Sequence, residues 1–205
     1  MSIMIDIASP LTLFILSFGY LCGSIPFGLV LTKLFTGTDI RTIGSGNIGA
    51  TNVLRTGNRL LAFATLLLDA GKGAAAIYLM MALVSHEFGG LAGAGAVLGH
   101  CFPVWLRFAG GKGVATSMAV IAAISWHAGI LMALSWLLVA GISRYSSLAA
   151  LLSFLIAGLF AMTLSPLTAS IVIFVGVLSW GRHYENIRRL LAGTESKISL
   201  SRSQS

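Results

Sequence analysis

Charge is what this sequence has least of. Asp, Glu, Lys and Arg make up 9% of its 205 residues, against about 25% in a soluble domain. So few charges cannot cover a water-exposed surface, so most of the surface faces lipid, and a soluble globular protein is excluded. Acidic residues are the scarcest: six, against thirteen Lys and Arg, for a net charge of +7. The bases are scattered between apolar segments and form no long run. Nucleic acid is therefore a poor partner, and membrane lipid or an anionic substrate a better one. Only two cysteines occur, Cys22 and Cys101, both in apolar stretches and at no metal spacing. They read as buried free thiols, and nothing calls for a metal or a cofactor. The N-terminus lacks the positive region of a signal peptide: Met1 to Pro10 carries Asp6 and no base, and the apolar run that follows is too long.

What is present is hydrophobic length. A crossing helix needs about 20 apolar residues. Seven candidates run over 10–32, 60–84, 91–108, 114–125, 127–143, 147–164 and 167–182. Only "SWH" at 125–127 separates the fourth from the fifth. Nothing alternates as a barrel strand would, and lipid demands that backbone groups be satisfied within each segment. The expectation is an all-α membrane protein, a bundle of seven transmembrane helices. It is one domain over residues 1–195, followed by a polar, disordered tail over 196–205.

With seven spans, twelve of the thirteen bases fall on one side of the membrane, and the other side receives only Asp6 and Glu87. The basic side is cytoplasmic, which places the N-terminus outside and the C-terminus in the cytoplasm. The remaining base, Lys72, lies inside the second span three residues after Asp69. An intramembrane pair at that spacing is either a neutralising ion pair or part of a site. Glycines recur at intervals of four, as Gly19 with Gly23, Gly89 with Gly93 and Gly95 with Gly99, a pattern that lets helix backbones approach closely.

Three polar clusters fall on the basic side. The first is "GSGNIGATNVLR", residues 44–55. It matches G-x-G-x-x-G formally, but it follows a membrane helix rather than a strand, so it is no dinucleotide site. What remains is a loop rich in amides, with donors on Ser45, Asn47, Asn52 and Arg55. The second cluster runs from Gly99-His100-Cys101 to "GGKGVAT". Glycines and a turn entering a helix present amides and a positive helix end to an anion, and Lys112 adds a full charge. A nucleotide P-loop is excluded, because Leu106 stands where Gly is needed and Gly113 where Ser or Thr is needed. The third cluster, "RHYENIRRL", places His183 and Asn186 on one helical face. Snorkelling explains its arginines but not these two residues.

Taken together, the clusters resemble the bacterial acyl-phosphate:glycerol-3-phosphate acyltransferase family, with "YLCGSIPFG" at 20–28 and "LLLDAGKG" at 66–73 as supporting matches. The similarity runs from about residue 10 to 195. One departure is Ala109, where that family commonly has lysine. The resemblance implies an enzyme of the bacterial inner membrane, with seven helices and a cytoplasmic site. It would transfer a fatty acyl group from acyl phosphate to the 1-hydroxyl of glycerol 3-phosphate, giving lysophosphatidic acid and phosphate. Ser45, Arg55, Lys112 and His183 are then the expected catalytic side chains. Asn47, Asn52, His100, Gly111, Gly113 and Asn186 are the expected substrate and phosphate ligands. Lys112 with the amides of Gly111 and Gly113 would hold one phosphate. Arg55, Ser45 and Asn47 would hold the other phosphate or the carbonyl oxygen. His183 and Asn186 would orient glycerol 3-phosphate. The competing class is a small anion transporter.

Overall fold

The structure, a computed structural model, describes residue 6 and residues 8–198. Among these residues every regular element is a helix. The first expected span is two helices, α1 (Pro10–Gly23) and α2 (Phe27–Thr36). The break has a local cause. The amide and hydroxyl of Ser24 both donate to the Tyr20 carbonyl, at 2.8 and 2.7 Å, closing the last turn of α1. Pro26 then has no N–H with which to continue the ladder. The short helix α3 (Ala50–Leu54) lies in the loop that follows. The remaining helices are α4 (Arg59–Leu83), α5 (His86–Cys101), α6 (Val114–Ile124), α7 (Trp126–Ser143), α8 (Ser146–Ala161), α9 (Pro166–Arg182) and α10 (Tyr184–Leu191).

All seven expected spans are helical, but they are not equally long. Four stretches are long and apolar enough to cross a bilayer: Pro10–Thr36, Arg59–Leu83, His86–Leu106 and Trp126–Ser143. The apolar helices α6, α8 and α9 have 11, 16 and 17 residues. The eleven residues of α6 rise about 16 Å, roughly half of a hydrocarbon core of about 30 Å. Ser125 does divide α6 from α7. Its backbone is extended there, and its hydroxyl accepts the Ala128 amide to cap α7.

The glycine spacing explains the closest helix pair. A Cβ on Gly19 or Gly23 of α1 would lie 2.0 or 1.9 Å from the carbonyl oxygens of Ala92 and Ala96 on α5. Gly95 and Gly99 of α5 return the contact, 2.5 and 2.0 Å from the carbonyls of Leu16 and Tyr20. The two backbones touch, and no side chain fits between them. Gly89 and Gly93 instead receive the side chains of Met81 and Ile77 from α4.

The core is built from Ile77, Val97, Val120, Ile121, Met132, Phe154, Val172 and Val175, contributed by α4 to α9. Large apolar side chains such as Leu13, Phe14, Leu67, Leu138, Leu159 and Val177 stay exposed around the bundle, as a lipid-facing surface requires. The starts of α4, α6 and α8 and the ends of α5 and α9 meet at one end, together with the loop before α4, where residues at each of them line one cavity.

Of the expected tail, residues 196–198 are placed: the Ile198 amide donates to the Arg144 carbonyl at 2.7 Å. Residues 199–205 and Met1–Ile5 lie outside the described residues.

Candidate active site

The first cluster is knitted by one side chain. Asn52, 2% exposed on α3, donates through Nδ2 to the carbonyls of Ile40, Ile43 and Asn47 at 3.0, 2.9 and 2.9 Å. Its Oδ1 accepts the Ser45 amide at 3.1 Å. Asn47 Oδ1 in turn accepts the Gly49 amide at 2.9 Å. Gly44 and Gly46, at φ 54 and 68, allow the tight path. Asn52 thus spends its polar atoms on the loop and shapes it. Ser45, Asn47 and Arg55 line the cavity described below, Asn47 also bracing the loop through Oδ1 and Arg55 donating to Ser196 Oγ.

The second cluster is pinned through the carbonyls of Gly110, Gly111 and Lys112 and the amide of Gly111. The Gly111 amide donates to the His100 carbonyl at 3.0 Å. Arg182 donates to the carbonyls of Gly110 and Gly111 at 2.8 and 3.0 Å, and Ser179 Oγ to that of Lys112 at 2.8 Å. The Gly111 amide, expected to hold phosphate, is therefore committed to His100, and Gly111 does not line the cavity described below. The N–H groups of Gly113, Val114 and Ala115 are the available ones. These residues line the cavity, and the first turn of a helix offers its amides no intrahelical acceptor. Gly113 caps α6 at φ 77, a conformation that favours glycine. Lys112 projects from the rigid loop, and its ammonium has no protein partner among the described residues. Burial lowers its pKa to about 8; Arg189, Arg55 and Arg182 add to the effect, and Glu195 opposes it.

The third cluster begins where α9 ends. His183, 2% exposed, makes a 2.7 Å bond from Nδ1 to the Ser179 carbonyl. A carbonyl only accepts, so Nδ1 carries the proton and Nε2 keeps its lone pair. Burial pushes this imidazole down to about 4, the Ser179 bond opposing and the Lys112 charge assisting, so it is neutral at physiological pH. Asn186, 4% exposed, donates to Glu195 Oε1 at 2.6 Å. Glu195 also accepts from Ser147 and Arg189, both at 2.7 Å. Burial works to raise its pKa, but these three donors prevail and hold the carboxyl below its ordinary value.

The three clusters meet. Ser45, Asn47, Asn52, Arg55, His100, Lys112, Gly113, His183 and Asn186 all line one cavity of about 940 Å³. Arg59, Asp69, Ser146, Ser147, Arg189 and Glu195 join them. The cavity continues between α4, α6 and α7 along an apolar wall that includes Phe63, Leu66, Met118, Trp136 and Leu137. Sequence reasoning missed Ser147, Arg189 and Glu195 as site residues. Glu195 left a signal, an acid in an otherwise basic segment beyond α10. It also missed the clamp formed by Arg182, which reads in sequence as a snorkelling interfacial base.

A polar pocket rich in Arg and Lys, opening into an apolar groove at one end of an apolar helix bundle, defines the class of integral membrane protein with a site at one end of its bundle. The glycerol-3-phosphate acyltransferase family model matches residues 13–193. A glycerol-3-phosphate acyltransferase of Agrobacterium fabrum is 56% identical over 181 residues, covering 88% of each chain. One of Rhodospirillum rubrum is 51% identical over 189 residues, again covering 88% of each. Among solved structures, PlsY (YgiH), an integral membrane glycerol 3-phosphate acyltransferase, matches in its glycerol 3-phosphate form with a TM-score of 0.86 and 38% identity. That match covers 91% of this chain and 95% of that one. The lysophosphatidic acid form matches with a TM-score of 0.83, covering 90% and 94%. The chain belongs to the glycerol-3-phosphate acyltransferase family. It is an acyltransferase of phospholipid synthesis, and the transporter alternative gives way to that membership.

Proposed function

We propose that this enzyme transfers a fatty acyl group from acyl phosphate to the 1-hydroxyl of glycerol 3-phosphate, releasing lysophosphatidic acid and inorganic phosphate. The observation that carries the reading is the two-part cavity: a basic, amide-rich end continuous with an apolar groove. The donor needs both parts at once, a phosphate in the first and a hydrocarbon chain in the second. The groove has α6 as its floor, and Phe63 and Leu137 at its rim are exposed to the bilayer, which suits a chain entering from lipid.

Acyl phosphate is a mixed anhydride, so no covalent nucleophile is needed. Cys101 is fully buried, and Cys22 lies away from the cavity. The 1-hydroxyl oxygen attacks the acyl carbonyl carbon. The bond from that carbon to the phosphate oxygen breaks, and phosphate leaves. Lys112 and the start of α6 hold one phosphate. Arg55, Ser45 and Asn47 serve the second phosphate or the carbonyl oxygen, where negative charge develops. Neutral His183 accepts the hydroxyl hydrogen bond at Nε2 and orients the nucleophile. With a pKa of about 4 it is a weak base. The proton therefore ends on a phosphate oxygen, since a phosphate group has its second pKa near 6.

On the same reading the chain crosses the bacterial inner membrane seven times, with its site on the cytoplasmic side. The assay uses purified protein in lipid cubic phase with acyl phosphate and glycerol 3-phosphate. Phosphate release that requires glycerol 3-phosphate is expected. Release at the same rate without it would overturn the assignment.

A further inference from the structure

The intramembrane charges take no part in the chemistry described above, yet two of them reach the cavity floor. Asp69 on α4 and His100 on α5 line it, at 2% and 4% exposure. Lys72, 6% exposed, donates from Nζ to Asp69 Oδ1 at 2.7 Å and to the Ile25 carbonyl at 2.8 Å. Ile25 lies in the break between α1 and α2, and its carbonyl also accepts the Phe27 amide at 3.1 Å. Asp69 Oδ1 stands 3.6 Å from His100 Nδ1, and its main-chain carbonyl accepts Thr116 Oγ1 of α6 at 2.8 Å. The opposite edge of the imidazole presses on the phosphate loop. A Cβ built on Gly111 would lie 2.1 Å from His100 Nε2, while the His100 carbonyl holds the Gly111 amide. Gly111 has no positive φ, so glycine stands there for space rather than for conformation. Gly110 is hemmed in likewise: a Cβ built there would lie 2.3 Å from the His100 carbonyl oxygen and from Pro103 Cδ.

We propose that Asp69, Lys72 and His100 form a buried buttress that sets the height of the Gly110–Gly113 loop and so the position of the Lys112 ammonium. His100, expected from sequence as a phosphate ligand, is on this account a positioning residue. Lys72 fixes the carboxylate and ties it to the broken first span, the carboxylate faces the imidazole across 3.6 Å, longer than a hydrogen bond, and the imidazole supports the loop. The buttress acts on binding before chemistry. Displacing Lys112 by a fraction of an ångström weakens its hold on phosphate while leaving the other two clusters intact.

The inference rests on the acyltransferase reading, and the experiment keeps the two apart, because wild-type protein without turnover would sink the reading itself. With active wild type, KM for both substrates and kcat are measured for Lys112→Ala, His100→Gln, Gly111→Ala and the double variant His100→Ala/Gly111→Ala. His100→Gln is expected to raise KM at least about tenfold for the same substrate whose KM rises in Lys112→Ala, with kcat within about threefold of wild type. Gly111→Ala is expected to lose about a hundredfold in kcat/KM. Removing the His100 ring in the double variant makes room for the new methyl and recovers about tenfold of that loss. An unchanged KM in His100→Gln overturns the proposal. So does a double variant no better than Gly111→Ala, and this second arm holds even if His100→Gln does not fold.

Discussion

At the residue scale, Lys112 is the group on which pH acts. Burial and neighbouring arginines bring its pKa to about 8. The ammonium is charged below that value and neutral above it, so the hold on phosphate proposed for it is expected to weaken as pH rises through about 8. KM for the substrate it contacts is expected to climb between pH 8 and 9.5, and Lys112→Arg, which stays charged throughout, flattens that climb. Lys112→Ala is expected to lower kcat/KM on the order of a hundredfold, with an unchanged unfolding temperature. His183 contributes no acid limb near neutrality, since in the free enzyme it is protonated only below about 4. The polar residues that line the cavity were largely legible in sequence because each cluster combined small residues with polar ones in an apolar setting. Their division of labour was not. Asn52, Gly111 and Arg182 spend their hydrogen bonds on the protein, and a sequence does not say whether a donor faces a ligand or a neighbouring carbonyl.

At the scale of elements, the α1–α5 contact is the tightest. Gly99→Leu would drive a side chain into the Tyr20 carbonyl, where the would-be Cβ is only 2.0 Å away. Loss of folded protein in detergent is expected, measured as a fall in the monodisperse fraction and in melting temperature. The same change at Gly158 of α8, whose Cβ position meets nothing within 4 Å, is expected to be tolerated. The glycine spacing announced this contact, because close approach in lipid requires small residues at intervals of four. The short α6 was also legible, since the expected 114–125 differs from Val114–Ile124 by one residue, but the split of the first span was harder to read. Hydropathy sees Ile25 and Phe27 as continuous grease. It takes backbone accounting at Pro26, and Lys72 on the Ile25 carbonyl, to show where the helix stops.

At the scale of the whole molecule, hydrophobic length announced the apolar helices and charge segregation announced one polar side, and the cavity brings all three polar clusters together at one end of the bundle. Orientation in the membrane is the remaining step, and cysteine labelling tests it. Thr42→Cys, in the loop at the site end, is expected to react with an impermeant maleimide only after the cells are opened. Thr163→Cys, exposed between α8 and α9, is expected to react in intact cells. The native thiols give little background, since Cys101 is fully buried and Cys22 is partly covered. The reverse pattern would invert the topology. The apolar groove was not legible from sequence, since its wall is made of ordinary lipid-facing residues of α4, α6 and α7 brought side by side by the packing.

Residues 194–198 form part of the cavity mouth: Glu195 joins Ser147, Asn186 and Arg189, Ser196 accepts from Arg55, and Ile198 meets Arg144. Handling the two ends of this protein is therefore not symmetrical. A purification handle joined close behind Ile198, or trimming by a contaminating protease at Gly193, would alter turnover while leaving the bundle intact. Preparations that differ only there would disagree about the enzyme's activity.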